Sequence, residues 1–168
     1  MSASLNIREA VQADRAAIRE VEEAAFGQPD EARLVDRIVA DGDVVLELVA
    51  QRNGQLLGHV LFSRLTVELP GGQRFPAVAL APLAVAPEAQ RRGIGLALIE
   101  QAHRRLAGAG ETLSVVLGEP EYYGRAGYAH GRAADFDCDW RCEALQAVAW
   151  GDAPSIGRLV YAPAFAAL

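Results

Sequence analysis

The chain is expected to adopt an α/β fold of the α+β kind, a mixed and mostly antiparallel sheet flanked by helices, and three features of the sequence carry that expectation. Two stretches with apolar residues at helical spacing occur early, three long strand-like stretches follow, and a glycine-bearing junction then leads into a third amphipathic stretch. The strand-like stretches are the clearest. Val44 to Arg52 and Gln55 to Glu68 are rich in β-branched residues and leucine, and Asn53-Gly54 between them is a strong two-residue hairpin signal. Pro70-Gly71-Gly72 turns the chain again before Arg74 to Val85, so three consecutive strands should form an antiparallel meander.

The remaining elements follow from period and punctuation. Leu5 to Arg8 reads as a short first strand. Asp14 to Phe26 places Ala17, Ile18, Val21, Ala24 and Ala25 at helical spacing, and Gly27 and Pro29 end it. Asp30 to Ala40 is a second helix with Leu34, Val35 and Ile38 inward, stopped by Asp41-Gly42-Asp43. From Ile94 on, residues Ile94, Leu98, Ala102 and Leu106 recur four apart as a buried stripe, with Glu100, Gln101, Arg104 and Arg105 toward water. Gly108 and Gly110 mark the end of that helix, and His103 falls on its polar border, where solvation is expected. Thr112 to Leu117 reads as a strand, Glu121 to Arg125 as a short helix and Tyr128 as the start of another strand. Cys142 to Trp150 and Leu159 to Ala162 read as closing strands, and there is no repeat, linker or low-complexity segment.

Bulk properties bound the function. A length of 168 residues suits one domain spanning 1–168, and 51% hydrophobic with 23% charged residues is ordinary for a globular chain. The net charge of −6 argues against a nucleic-acid-coating surface and mildly favours cationic partners such as amines. All 16 basic residues are arginine, which excludes lysine Schiff-base chemistry and acetylation of a lysine side chain of this chain. Cys138 and Cys142 are too few and too close to staple a secreted domain, and Met1 to Arg8 lacks the basic start and long apolar run of a signal peptide, so a cytoplasmic location is expected. Phe75 to Ala86, the most apolar run, is too short to span a bilayer, and no membrane association is expected.

The most informative stretch runs from Leu83 to Ile99. Apolar, strand-compatible residues end at Pro87, and Gln90-Arg91-Arg92-Gly93-Ile94-Gly95 then opens a helix whose free N–H groups and positive dipole end suit a pyrophosphate. Gln90-Arg-Arg-Gly93-Ile-Gly95, preceded by Leu83-Ala-Val85, resembles the acetyl-CoA-binding motif of the GNAT superfamily of N-acetyltransferases, and it fills every fixed position of the Gln/Arg-x-x-Gly-x-Gly/Ala pattern. The resemblance covers Leu5 to Tyr128. It implies a splay between the fourth and fifth strands, with backbone groups of Leu83, Ala84 and Val85 bonding the pantetheine amides there. It also implies that Gln90, Arg91, Arg92, Gly93, Ile94, Gly95 and Leu96 hold the rest of the cofactor, acetyl-CoA. A dinucleotide-binding oxidoreductase fits less well, for want of a third glycine and of a βαβ start, and a phosphate-loop NTPase is excluded by the absence of lysine.

A second segment, Glu121-Tyr-Tyr-Gly-Arg-Ala-Gly-Tyr128, is similar to the aromatic motif after the fifth strand of the same family. By that resemblance Tyr123 lies near the cofactor sulfur and protonates the departing thiolate, a role suited to a phenol that stays protonated at neutral pH. Tyr122 and Tyr128 are assigned to packing. Many family members carry a glutamate base on the fourth strand, but Ala77-Val-Ala-Leu-Ala-Pro-Leu83 has no carboxylate. Glu119 is the first candidate in its place, with His59 and Glu68 as further candidates, and an acceptor already neutral in solution would need no base. No metal site is expected, since Cys138, Cys142 and His130 fall short of four structural ligands. The expected function is acetyl transfer from acetyl-CoA to a primary amine in a ternary complex, with a non-catalytic acyl-CoA-binding module of the same fold as the alternative. The acceptor is a small-molecule amine or a peptide or protein amino terminus, and a homodimer is compatible with the resemblance.

Overall fold

In the computed structural model, which describes residues 4–139 and 143–167, the three long strands end and begin where the turn residues place them. β1 (Asn6–Glu9) precedes two helices, α1 (Arg15–Phe26) and α2 (Asp30–Asp41), each stopped by a glycine in the left-handed conformation, Gly27 and Gly42. β2 (Val44–Arg52) and β3 (Gln55–Glu68) are joined through Asn53 and Gly54, both at positive φ, which matches the twist of a tight hairpin. β4 (Arg74–Val85) leads into α3 (Ile94–Gly108) and β5 (Leu113–Leu117). α4 (Pro120–Gly124), α5 (His130–Ala133), β6 (Phe136–Asp137), β7 (Leu145–Ala149) and β8 (Gly157–Val160) complete the described chain.

The sheet runs in the order β1-β2-β3-β4-β5-β7, with β8 bridging β3 and β6. Pairing is antiparallel except between β4 and β5 and between β6 and β8. Side chains alternate between two cores, as pleating requires. Leu48, Val60 and Phe62 pack under α3 with Leu98 and Leu106, whereas Val49 and Leu61 pack under α1 and α2 with Ile18 and Ile38. Arg8 on β1 donates two bonds of 2.8 and 2.9 Å to Asp14, whose carboxylate also accepts the Val11 N–H, and this ties the start of α1 to the sheet edge.

Several expectations are corrected. Tyr128 does not begin a strand: Ala129 makes a single bridge to Ala147, and the chain then turns into α5. The closing strands are β7 and the slightly earlier β8; Cys142 lies outside the described residues. On α1 Ala24, expected inward, is exposed, and Glu22 is buried beside Ile18 and Val21, because a charged network described below draws Glu22 inward. His103 is not solvated. Its Nε2 lies 3.0 Å from the Tyr128 hydroxyl, its ring meets Trp150 edge-on at 4.8 Å, and burial lowers its pKa to about 4.

One irregularity positions the site. β4 pairs with β5 only at Val78↔Ser114, Ala79↔Val115 and Leu80↔Val116, and beyond Leu80 it continues to Val85 against β3 alone. The β3–β4 register shifts at the same place, so that Val60 faces Leu83 while Phe62 faces Leu80, leaving Ala81-Pro82 as a bulge. The parallel pair therefore splays, as expected. Among the described residues no helix is long and apolar enough to cross a membrane.

Leu98 is fully buried where α3 crosses the sheet. Leu98→Ala should lower unfolding stability by about 3 kcal/mol in urea titration with an unchanged slope, as a large-to-small core change does.

Candidate active site

The gap between β4 and β5 opens into two cavities that meet at a common wall. The first, about 700 Å³, lies between the end of β4, the start of α3 and α4. Leu83, Ala84, Val85, Gln90, Arg91, Gly93, Ile94, Gly95 and Leu96 all line it, as do Glu119 and Tyr123. Of the cofactor-binding residues named from the sequence, only Arg92 is outside this lining, and its side chain is exposed. The second cavity, about 510 Å³, lies on the α2 side of the same gap, and Phe26, Leu83, Glu119 and Tyr123 line both.

Local geometry makes the first cavity an anion cradle. Arg91 and Gly93 have φ of 64° and 81°, so the chain coils just before α3 and Gly93 caps the helix. The first intrahelical bond runs from Ala97 N–H to Gly93 O at 3.0 Å, which leaves the N–H groups of Ile94, Gly95 and Leu96 without helical acceptors at the positive end of the dipole. Gly95 leaves no spare room: a Cβ there would collide with the Tyr122 hydroxyl. Tyr122 packs against the core as assigned above, and its half-buried side chain also lines the cavity. Arg125 adds a second guanidinium to the lining, a residue that the sequence reading passed over because it sits in the variable part of the aromatic segment.

The end of β4 presents its backbone to the gap. Ala86 N–H donates to Leu57 O at 2.8 Å, so in the alternating antiparallel ladder the peptide groups of Leu83 and Val85 turn away from β3, toward the side β5 has left. Val85 O accepts a 3.0 Å bond from the Gln90 side-chain amide, which closes the loop between strand and helix.

Tyr123 stands between the two cavities. Its ring meets Tyr122 and Tyr128 edge-on at 5.0 and 5.9 Å, and Gly118 is required beneath it because a Cβ would strike the ring. Burial, with smaller contributions from Tyr122 and the Glu22 charge, raises its pKa, so the hydroxyl keeps its proton at neutral pH. Glu119, at the N-terminus of α4, is exposed on the same rim. Tyr128 is fully packed, with its hydroxyl 2.7 Å from Ser114 Oγ.

Of the other two candidate bases, neither reaches the cavities. Glu68 sits at the far end of β3, paired with Arg158 of β8. His59 is entirely buried with both ring nitrogens engaged: Nδ1 lies 2.6 Å from Glu22 Oε2 and Nε2 lies 2.7 Å from Glu47 Oε2. Arg15 pairs with the other oxygen of Glu47. Burial works to lower the His59 pKa, but the two carboxylate bonds and charges outweigh it, and the net shift is upward, toward an imidazolium that donates to both acids. This chain of four charged residues was missed in the sequence, although Glu47 and His59 each interrupt an apolar run and could have been found by that signal; Glu22, among Glu20 and Glu23, carries none.

A strand-to-helix anion cradle beside a splayed parallel pair, with a protonated tyrosine across the gap, defines the class of acyl-CoA-dependent acyltransferases. Comparison with known proteins agrees. A family model described as an acetyltransferase (GNAT) domain matches residues 6–131, and the chain belongs to that family. YjhQ of Escherichia coli (strain K12), described as an uncharacterized N-acetyltransferase, is 40% identical over 120 residues, 70% of this chain; the match spans 65% of YjhQ. A GNAT family acetyltransferase from Brucella melitensis, solved with acetyl-CoA, superposes with a TM-score of 0.82 at 33% identity over 97% of this chain and 99% of its own. YhbS from Escherichia coli, solved with CoA, gives 0.89 at 28% identity over 99% and 94%.

The raised His59 pKa has a definite sign. Its charged bridge stabilises the fold fully below the ordinary imidazole value of 6.5 and is lost as pH rises through the folded value. Resistance to urea unfolding should therefore fall as pH rises above about 6.5. His59→Gln should remove that slope and lower stability at pH 6 by about 3 kcal/mol, because two buried carboxylates lose their shared cation. Equal slopes in the two proteins would refute the assignment.

Proposed function

We propose that this chain transfers an acetyl group from acetyl-CoA to the primary amine of an acceptor, by direct attack while both are bound. The observation that carries the reading is the pairing of a cradle lined by Arg91 and Arg125 with a second cavity across Tyr123 and Glu119. Acetyl-CoA and CoA in the Brucella melitensis and YhbS structures support the identity of the donor.

Bound in the cradle, acetyl-CoA supplies an activated thioester carbonyl. The N–H groups of Ile94, Gly95 and Leu96 hold its pyrophosphate, with Arg91 and Arg125 adding charge at the rim. Leu83 and Val85 offer peptide groups to its amides along the open edge of β4. Glu119 takes a proton from the acceptor ammonium and so frees the lone pair that attacks the carbonyl. As the C–N bond forms and the C–S bond breaks, Tyr123 gives its hydroxyl proton to the departing sulfur; the nitrogen sheds its second proton through solvent to the Tyr123 phenolate, and Glu119 releases the proton it took to bulk water. Because burial keeps the Tyr123 hydroxyl protonated, it serves as an acid rather than as a base.

Tyr123→Phe should lower kcat by about 100-fold or more while leaving the calorimetric Kd for acetyl-CoA within about twofold, a split expected of a proton donor used only in the transition state. Glu119→Gln should lower kcat/KM most at neutral pH and recover as pH approaches the acceptor's own pKa. Acetyl-CoA binding without thiol release from any amine, in wild type and variants alike, would overturn the enzymatic reading.

A further inference from the structure

We infer that the acceptor is a cationic amine carried on an apolar body that bears no carboxylate, seated in the second cavity; the inference rests on the acetyl-transfer reading above. Two properties of the cavity carry it. The first is charge. Glu31 and Glu119 are its ionisable carboxylates, and no arginine or histidine is among its described lining residues. Glu31 is half-buried on α2 and is held by Gln28, whose side-chain amide donates to its two oxygens at 3.1 and 3.2 Å. The first cavity is lined by Arg91 and Arg125, so positive lining meets the anionic donor on one side of Tyr123 and negative lining faces the acceptor on the other.

The second property is the wall. Phe26, Leu34, Pro82, Tyr161 and Phe165 supply apolar surface. Phe165 is buried in the turn 163–167 and its ring meets that of Tyr161 at 5.3 Å in a tilted contact, which gives the cavity an aromatic side. Such a wall gains little from a polyhydroxylated amine, whose hydroxyls would exchange water for hydrocarbon without partners. An acceptor with its own carboxylate would face Glu31 and Glu119 with no cation to offset it. The volume, about 510 Å³, accommodates an arylalkyl body.

The test is thiol release from acetyl-CoA with 2-phenylethylamine, phenylalanine and glucosamine as acceptors, alongside calorimetry with acetyl-CoA. The expected result is a kcat/KM for 2-phenylethylamine about 100-fold above that for either of the others, the size of a like-charge or unpaired-polar penalty. Glu31→Gln should raise the KM for 2-phenylethylamine about tenfold, leave acetyl-CoA affinity unchanged and narrow its advantage over phenylalanine, a change in ratio that a purely structural role would not produce. Turnover of phenylalanine or glucosamine at a comparable rate, or an unchanged ratio in Glu31→Gln, would overturn the acceptor class and leave acetyl transfer standing. Acetyl-CoA binding with no release from any of the three overturns this class and, if a wider amine panel is equally silent, the enzymatic reading with it.

Discussion

The architecture turns on Pro82. A central strand normally offers N–H groups to both neighbours, and a proline has none to offer. β4 absorbs it as a bulge with Ala81, and the parallel ladder to β5 ends one pair earlier, at Leu80↔Val116. The bulge also changes the phase of the strand, so Leu80 and Leu83 both face the core under α3 although they are three apart. From that one interruption follow the free edge at Leu83 and Val85, the cavity beside it and the path by which two ligands can approach Tyr123 from opposite faces. Backbone groups left without a strand partner must find another, and here the Gln90 amide supplies one at Val85.

The charged residues are distributed around this gap with a consistent sense. Guanidinium groups stand at the start of α3 and at α4, carboxylates stand on α2 and at Glu119, and the fully buried His59 is enclosed by acids of α1 and β2. The buried chain does not touch the cavities through His59. It fixes instead how α1 lies across the sheet, and α1 ends in Ala25 and Phe26 at the cavity wall. Burying this many charges is tolerable only because each has an opposite partner, and a one-sided loss would leave an uncompensated charge in the core.

Much of the frame was legible because the strongest signals were local. Asn53-Gly54 and Pro70-Gly71-Gly72 specify turns by their own backbone preferences, and the ends of β2, β3 and β4 fall where those residues put them. The cradle was legible for the same reason, since Gly93 and Gly95 act through backbone geometry and room. What escaped was set by tertiary context. Glu22 is buried only because His59, 37 residues along the chain from it and 12 from Glu47, is brought against both carboxylates. His103 looked solvated until Tyr128 and Trp150 closed over it. The second cavity was mostly illegible in the sequence: apart from Leu83, Glu119 and Tyr123, its walls come from α1, α2, β4, β5, Tyr161 and Phe165, at positions that no motif marks.

Phe26 gives the shared wall a thermodynamic character. It is 43% exposed at the end of α1 and lines both cavities, so in water its ring is a hydrated apolar surface held open by the left-handed cap at Gly27. Either ligand that covers it removes part of the same hydration shell, and the second to arrive finds that part already gone. Under the proposed two-ligand reading, donor and acceptor would be coupled through a single ring, reciprocally and in free energy alone, with a heat-capacity signature smaller than the sum of the two separate binding events.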